Sequence, residues 1–180
     1  GANIKKSGLE DRVETRLSDG LKELKRDEVD TLVIAGMGGG LIIKILDEGK
    51  EVLKSVKELV LSPQSEISLV RKYLQERKFS IVKETMLKED GKYYTVMKVV
   101  HGRTESNKVF KDGDVLLEHG EYLLKKADPV LKEFLLKEEN TCHIIERELL
   151  RQNSNAAKVR LKEIRQELEK IKEALRYYEM

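Results

Sequence analysis

An α/β fold built on a doubly wound sheet that ends in an antiparallel hairpin is predicted by three observations. Thr31 to Ala35 reads TLVIA, a continuous apolar and β-branched run. A glycine-rich turn and an apolar segment follow it at once, and a strand, break, helix unit recurs from Glu58. The pattern then ends in a hairpin around Asp90 and Gly91. Strands that alternate with helices need helical crossovers, and these make neighbouring strands parallel.

The elements follow in order. Arg12 to Ser18 alternates, with Val13, Thr15 and Leu17 on one side, which predicts a half-buried strand closed by the turn Ser18, Asp19, Gly20. Leu21 to Arg26 predicts a short amphipathic helix. Thr31 to Ala35 lacks polar interruption and predicts a central parallel strand covered on both faces. After Gly36, Met37, Gly38, Gly39 and Gly40, the apolar segment Leu41 to Leu46 predicts a helix with Gly49 at its C-cap. Glu58 to Ser62 is the next strand, broken by Pro63. Ser65 is placed to cap a helix with the stripe Ile67, Val70 and Leu74. Phe79 to Lys88 and Tyr93 to His101 are extended runs joined through Glu89, Asp90 and Gly91, and Asp-Gly between alternating segments predicts a hairpin.

From Gly102 the composition turns polar through Thr104, Ser106, Asn107, Asp112 and Gly113, and strand signals stop. Residues 1–101 thus form the sheet domain, 102–127 a linker with a short helix, and 128–180 a helical hairpin. Asp128 and Pro129 open its first helix, whose stripe is Leu131, Leu135, Cys142, Ile145 and Leu149. After a turn at Asn153 to Asn155, Ala157, Leu161, Ile164, Leu168, Ile171, Leu175 and Tyr178 keep heptad spacing, which predicts an antiparallel coiled coil.

Composition narrows the function classes. Of the 180 residues, 39% are hydrophobic and 38% charged, and 35 Lys and Arg against 33 Asp and Glu leave a net charge of +2. That balance announces no nucleic-acid or membrane surface, so any basic face must come from local segregation. Cys142 is the single cysteine, which excludes an internal disulfide, and no Cys/His set has zinc spacing. The apolar stretch at Leu41 to Leu46 is far below the roughly 20 residues that span a bilayer, so a cytoplasmic protein is expected. His101, His119 and His143 are scattered, and the helical neighbours Cys142 and His143 diverge by about 100°, which argues against a Cys/His pair.

Ligands of open α/β sheets bind beyond the carboxyl ends of the strands, and three places qualify. Asp19 can accept from an adenine amino group or cap the turn that follows it. The segment Gly36 to Gly40 exposes backbone to a flat base or an anion, or permits tight strand-to-helix packing; it matches neither GxGxxG nor a phosphate loop with lysine. Gln64 after Pro63 can read a base edge or hold a loop. Asp90, Lys92, Tyr93 and Tyr94 at the hairpin offer a stacking face or ordinary packing.

The order GLEDRVETRLSDGL, DTLVIAGMGGGLIIKILDEG, LVLSPQ and LKEDGKYYTVM, followed by a helical hairpin, resembles the bacterial TrmK-type tRNA (adenine-22-N1)-methyltransferases from about Ala2 to Met180. IAGMGG is the most specific part. The resemblance implies S-adenosylmethionine-dependent methylation of adenine N1 in the D-arm of tRNA, on a Rossmann-like methyltransferase domain with a C-terminal coiled coil. By match, Asp19, with Gly20 and Leu21, holds the cofactor adenine, although Ser18 stands where the family more usually has glycine. Gly36, Met37, Gly38 and Gly39 are the expected catalytic segment, beside the transferable methyl group and the target base, with Gly36 and Met37 also bordering the cofactor. Gln64, Asp90, Lys92 and Tyr94 border the pocket as expected RNA contacts.

The resemblance also implies two earlier strands, one with a glycine loop for the methionine part of the cofactor and one ending in an acid for the ribose. Neither precedes Gly1, so the expectation is a partial, inactive sheet of later strands. Its uncovered edge, or the coiled coil, offers a route to a homodimer. Two other classes stay open: a nucleotide- or RNA-binding module without catalysis, and a coiled-coil adaptor.

Overall fold

The computed structural model describes residues 2–102 and 110–179. The polar residues Thr104, Ser106 and Asn107 lie outside them, as does Met180. A short helix α1 (Ala2–Lys6) precedes irregular backbone that reaches the first strand, β1 (Thr31–Met37). There follow α2 (Gly39–Glu48), α3 (Lys50–Leu53), β2 (Glu58–Pro63), α4 (Ile67–Glu76) and the hairpin β3 (Phe79–Glu89) and β4 (Lys92–His101). The sheet order is β1-β2-β4-β3, with β1 and β2 parallel and both β2/β4 and β3/β4 antiparallel. The mixed α/β sheet is as expected.

Two sequence expectations before β1 are not met. Arg12 to Ser18 is no strand, and Leu21 to Arg26 is a turn with Leu24 N–H bonded to the Leu21 carbonyl rather than a helix. Alternation makes a strand only where a neighbour completes the ladder. None pairs with this segment among the described residues, and Leu17 is 98% exposed. A third correction concerns β1, which stands at the sheet edge. Leu32 and Ile34 are buried on one side while Val33 is 64% exposed on the other. An uninterrupted β-branched run therefore did not mean burial on both faces.

The covered face carries the first core. Ile42 and Leu46 of α2 and Val70 and Leu74 of α4 pack on Ile34, Leu59, Leu61, Met97 and Val99. Gly49 is the C-cap of α2, with φ −89 rather than a left-handed angle. It must be small because a Cβ there would collide with Leu21, which is buried against it.

The helical region forms a second core. It comprises α5 (Val115–His119), α6 (Glu121–Lys125), α7 (Pro129–Leu149), α8 (Asn155–Leu175) and a 3-10 turn at Arg176–Tyr178. Asp128 caps α7 by accepting from the Val130 and Leu131 N–H groups at 2.9 and 3.0 Å, and Ser154 caps α8 through Ala157 N–H at 3.1 Å. The two long helices run antiparallel, since Arg165 reaches Glu146 and the Tyr178 hydroxyl donates to the Asp128 carbonyl. Ala157, Ile164, Leu168 and Ile171 of the α8 stripe are buried. This core continues onto the sheet through Met86 of β3.

A buried ion pair links the two cores. The Arg71 side chain on α4 is 5% exposed and that of Glu84 on β3 only 1%, with Nη2 2.8 Å from Oε1. Arg71 Nη1 also donates to the Leu117 and Glu118 carbonyls at the end of α5, at 2.9 and 2.6 Å. Beside them, burial and then the nearby Arg71 push the His119 pKa down to about 4. The unfolded chain holds this proton from about pH 6.5 downward, so the folded state binds fewer protons between pH 6.5 and 4. Stability is therefore unaffected by this group above pH 6.5 and falls below it, by about 2 kcal/mol at pH 5. Urea midpoints at pH 7.5 and pH 5 check this, and the difference shrinks in His119→Gln.

Candidate functional site

The site is built where β1 meets α2. The β1/β2 register slips between Ala35 and Met37, and Gly36 absorbs the slip at φ +78. Met37 then sits opposite Pro63, and its carbonyl accepts from Gln64 N–H at 2.9 Å. Gly38 is the extended N-cap of α2, and its carbonyl accepts from the Leu41 and Ile42 N–H groups. Gly39 N–H donates to the Ser65 carbonyl at 3.0 Å, and Gly40 N–H to Glu66 Oε2 at 3.0 Å.

The packing and binding readings of this turn separate residue by residue. A Cβ at Gly39 would lie 2.7 Å from the Ser65 and Glu66 carbonyl oxygens, so this glycine serves close packing. A Cβ at Gly38 would meet only Ser65 Oγ, at 3.0 Å. At Gly36 it would meet nothing within 4 Å, so glycine there is required by the left-handed backbone alone and the space above it is open. Gly36 and Met37 are exposed, Gly38 half-buried and Gly39 buried. The result is a bare backbone ledge at the carboxyl end of a parallel pair, anchored from beneath.

Gln64 is brought to this ledge, its backbone holding Met37 and its side chain exposed. Asp19, Gly20 and Leu21 lie elsewhere along α2. A Cβ at Gly20, which stands at φ +62, would lie 3.3 Å from Ile45 Cγ1, and Lys22 reaches Glu48 at 3.7 Å. Ile45 is about 9 Å along the helix from Gly39 at 1.5 Å per residue. Leu21 spends its side chain in the core, which leaves the Asp19 carboxylate and the Gly20 backbone exposed. The ammonium of Lys22, hydrogen-bonded to Asp19, holds that carboxyl below the usual range.

The hairpin tip rises at the same end of the sheet, since β4 enters antiparallel beside β2. Asp90 and Gly91 both have positive φ, as a two-residue hairpin turn requires. The tip is held by α7. Lys88 contacts Glu133, the Tyr93 hydroxyl donates to Glu133 at 3.0 Å, and the Tyr93 and Phe134 rings meet edge-on at 5.2 Å. Tyr93 is therefore a packing residue, while Asp90 and Lys92 are exposed and Tyr94 is half-buried.

Glu66 was not among the residues singled out from sequence. Ser65, expected to cap α4, instead gives its carbonyl to Gly39, and Glu66 takes the N-cap position in left-handed backbone. The signal available was adjacency: the loop after one parallel strand lies beside the loop after its neighbour. Among the described residues no group of three His, Cys, Asp or Glu is arranged to hold a metal ion. No helix among them is long and apolar enough to cross a membrane.

Comparison with known proteins assigns the family. The family model for tRNA (adenine(22)-N(1))-methyltransferase matches residues 1–173. The tRNA (adenine(22)-N(1))-methyltransferase of Bacillus subtilis (strain 168) is 31% identical over 175 residues, covering 96% of this chain and 73% of that protein. The crystal structure of the B. subtilis m1A22 tRNA methyltransferase TrmK superposes with a TM-score of 0.78 at 29% identity, over 96% of this chain and 74% of that one. A Streptococcus pneumoniae protein solved in complex with S-adenosyl-L-methionine superposes at 0.81 with 30% identity, over 97% and 73%. With the family model matching residues 1–173 and the B. subtilis enzyme 31% identical over 96% of this chain, the chain belongs to the tRNA (adenine(22)-N(1))-methyltransferase family.

Proposed function

We propose that the protein methylates N1 of adenine 22 in tRNA with S-adenosylmethionine, and that the ledge Gly36 to Gly39 receives the adenine. The observation that carries this reading is the open space over Gly36 beside an anchored turn at the strand ends. The groups at hand suit the cofactor as well as the base. An exposed, ionised Asp19 offers an acceptor for an adenine amino group, and Gly20 and Gly36 offer backbone without side chains.

When bound, the cofactor offers an electrophilic methyl group on a sulfonium to the in-plane lone pair of adenine N1, the bond electrons leaving with sulfur and the base becoming cationic. No general base is needed, which agrees with a ledge free of catalytic carboxylate or histidine. The chain's contribution is positioning, bringing N1 to about 3 to 3.5 Å from the methyl carbon in line. The Met37 carbonyl holds the turn with one lone pair, through Gln64 N–H, and keeps a second for the exocyclic amino group. The reacting edge is the pairing edge, so the base must be turned out of its stack.

The α7–α8 pair, read as a coiled-coil arm, is assigned to the tRNA backbone. A groove of about 710 Å³ on α8 is lined by Lys158, Lys162, Arg165 and Lys170 among others. Arg165 is paired with Glu146 and Lys170 with Glu118, leaving Lys158 and Lys162 as its cations without an acidic partner among the described residues. Replacing both by alanine raises KM for tRNA without lowering kcat. It also lowers the slope of log affinity against log salt by about one to two, as read from KM between 50 and 200 mM KCl.

Transfer of labelled methyl to an unmodified tRNA tests the function. Label appears as 1-methyladenosine when residue 22 is adenine and disappears when it is guanine. Label that survives the exchange refutes the assignment.

A further inference from the structure

We propose that Glu66 is a positioning residue for methyl transfer, its carboxylate clamping the Gly40 amide and thereby fixing the glycine ledge; this rests on the reading of that ledge given above. Three consecutive residues after β2 grip the turn after β1. Gln64 N–H holds the Met37 carbonyl, the Ser65 carbonyl holds Gly39 N–H, and Glu66 Oε2 holds Gly40 N–H at 3.0 Å. The first two bonds are made by backbone and are open to any sequence. The third needs a side-chain acceptor of this length.

Glu66 makes that bond from φ 52 and ψ 39, a left-handed conformation that non-glycine residues seldom adopt. It stands at the N-cap of α4, yet its side chain does not cap α4, which has no side-chain cap bond. The side chain crosses instead to α2, whose own first turn holds no acid. A negative charge thus reaches the positive end of α2 from a different element. A strained residue that serves a neighbouring loop in preference to its own helix is the kind of outlier from which a functional role is inferred. The fit is close, since a Cβ at Gly40 would lie 3.2 Å from the same oxygen.

Single-turnover methylation, thermal unfolding and amide exchange at Gly40, measured on Glu66→Ala, Glu66→Gln and Glu66→Gly, test the proposal. Glu66→Ala slows transfer at saturating cofactor and tRNA by roughly tenfold, as expected of a displaced reacting geometry, with KM little changed. Glu66→Gln keeps an acceptor and recovers most of the rate. Glu66→Gly relieves the left-handed backbone and melts no lower than wild type, yet transfers as slowly as Glu66→Ala. Gly40 exchange rises in the alanine and glycine variants and not in the glutamine variant. A plain helix cap predicts rate and stability falling together; that result, or a glutamine variant as slow as alanine, overturns the proposal. Wild-type methylation with Gly40 exchange unchanged in Glu66→Ala defeats the clamp alone. A wild-type protein that methylates no adenine defeats the functional reading, and this proposal with it.

Discussion

Replacing Gly39 by valine slows methyl transfer by about 100-fold and destabilises the fold. The first added carbon already lies 2.7 Å from two backbone carbonyls, those of Ser65 and Glu66, and 3.0 Å from Val70 Cγ2. Backbone cannot swing aside as a side-chain tip can, so the whole β2–α4 loop must retreat from α2. Overpacking of this kind costs about 1–3 kcal/mol even for small additions, and a displacement near 1 Å at a positioning site lowers rate by about 100-fold. Gly36→Ala provides the contrast. It meets no neighbour within the protein, so its cost to folding is that of φ +78, about 1–2 kcal/mol, and it leaves the Ser65 and Glu66 anchors in place while its methyl group enters the space assigned to the adenine. Urea midpoints and single-turnover rates for the two variants check both statements. Equal rates for Gly39→Val and wild type refute the close-packing role.

The second large effect is expected at Arg71. Arg71→Leu leaves the Glu84 carboxyl buried without its guanidinium and the Leu117 and Glu118 carbonyls without their donor. Breaking a buried pair by removing one partner costs about 3–5 kcal/mol, and burial already pushes the Glu84 carboxyl toward its neutral form. The double variant Arg71→Leu/Glu84→Leu removes the stranded acid and is more stable than Arg71→Leu alone. It remains below wild type because the α5 carbonyls stay unmatched. Denaturant midpoints of the singles and the double give the coupling. A single Arg71→Leu variant within 1 kcal/mol of wild type contradicts the account of how the two cores are joined. Gly120 belongs to the same junction, at φ +96 where a Cβ would run into Glu84.

What was legible in the sequence was local. Thr31 to Ala35, Leu41 to Leu46, Glu58 to Ser62, the Asp90-Gly91 turn and the two long helical stripes each carry period, cap and turn in a few neighbouring residues. The structure places elements at all of them. What failed needed a partner. Val13, Thr15 and Leu17 alternate like a strand, but a ladder is a property of two segments, and this one has no neighbour among the described residues. TLVIA reads alike at the centre or edge of a sheet. The Asp19 segment and the ledge are joined only by the family resemblance, because nothing local says that Gly20 packs on Ile45. Glu66 escaped notice because its meaning lies across the loop, at Gly40, 26 residues earlier in the chain. The Arg71 and Glu84 pair was equally invisible, since burial of a charge is decided by elements far apart in sequence.

The central claim is that the glycine ledge receives adenine 22 for methylation at N1, and primer extension on cellular tRNA tests it most directly. A methyl group at N1 blocks pairing, so reverse transcription halts beside a modified residue 22. In cells from which the gene is deleted, the halt at position 22 is predicted to vanish. The intact gene restores it, and a Gly39→Val gene expressed to the same level does not. A halt that persists without the gene, or that returns in full with Gly39→Val, contradicts the account.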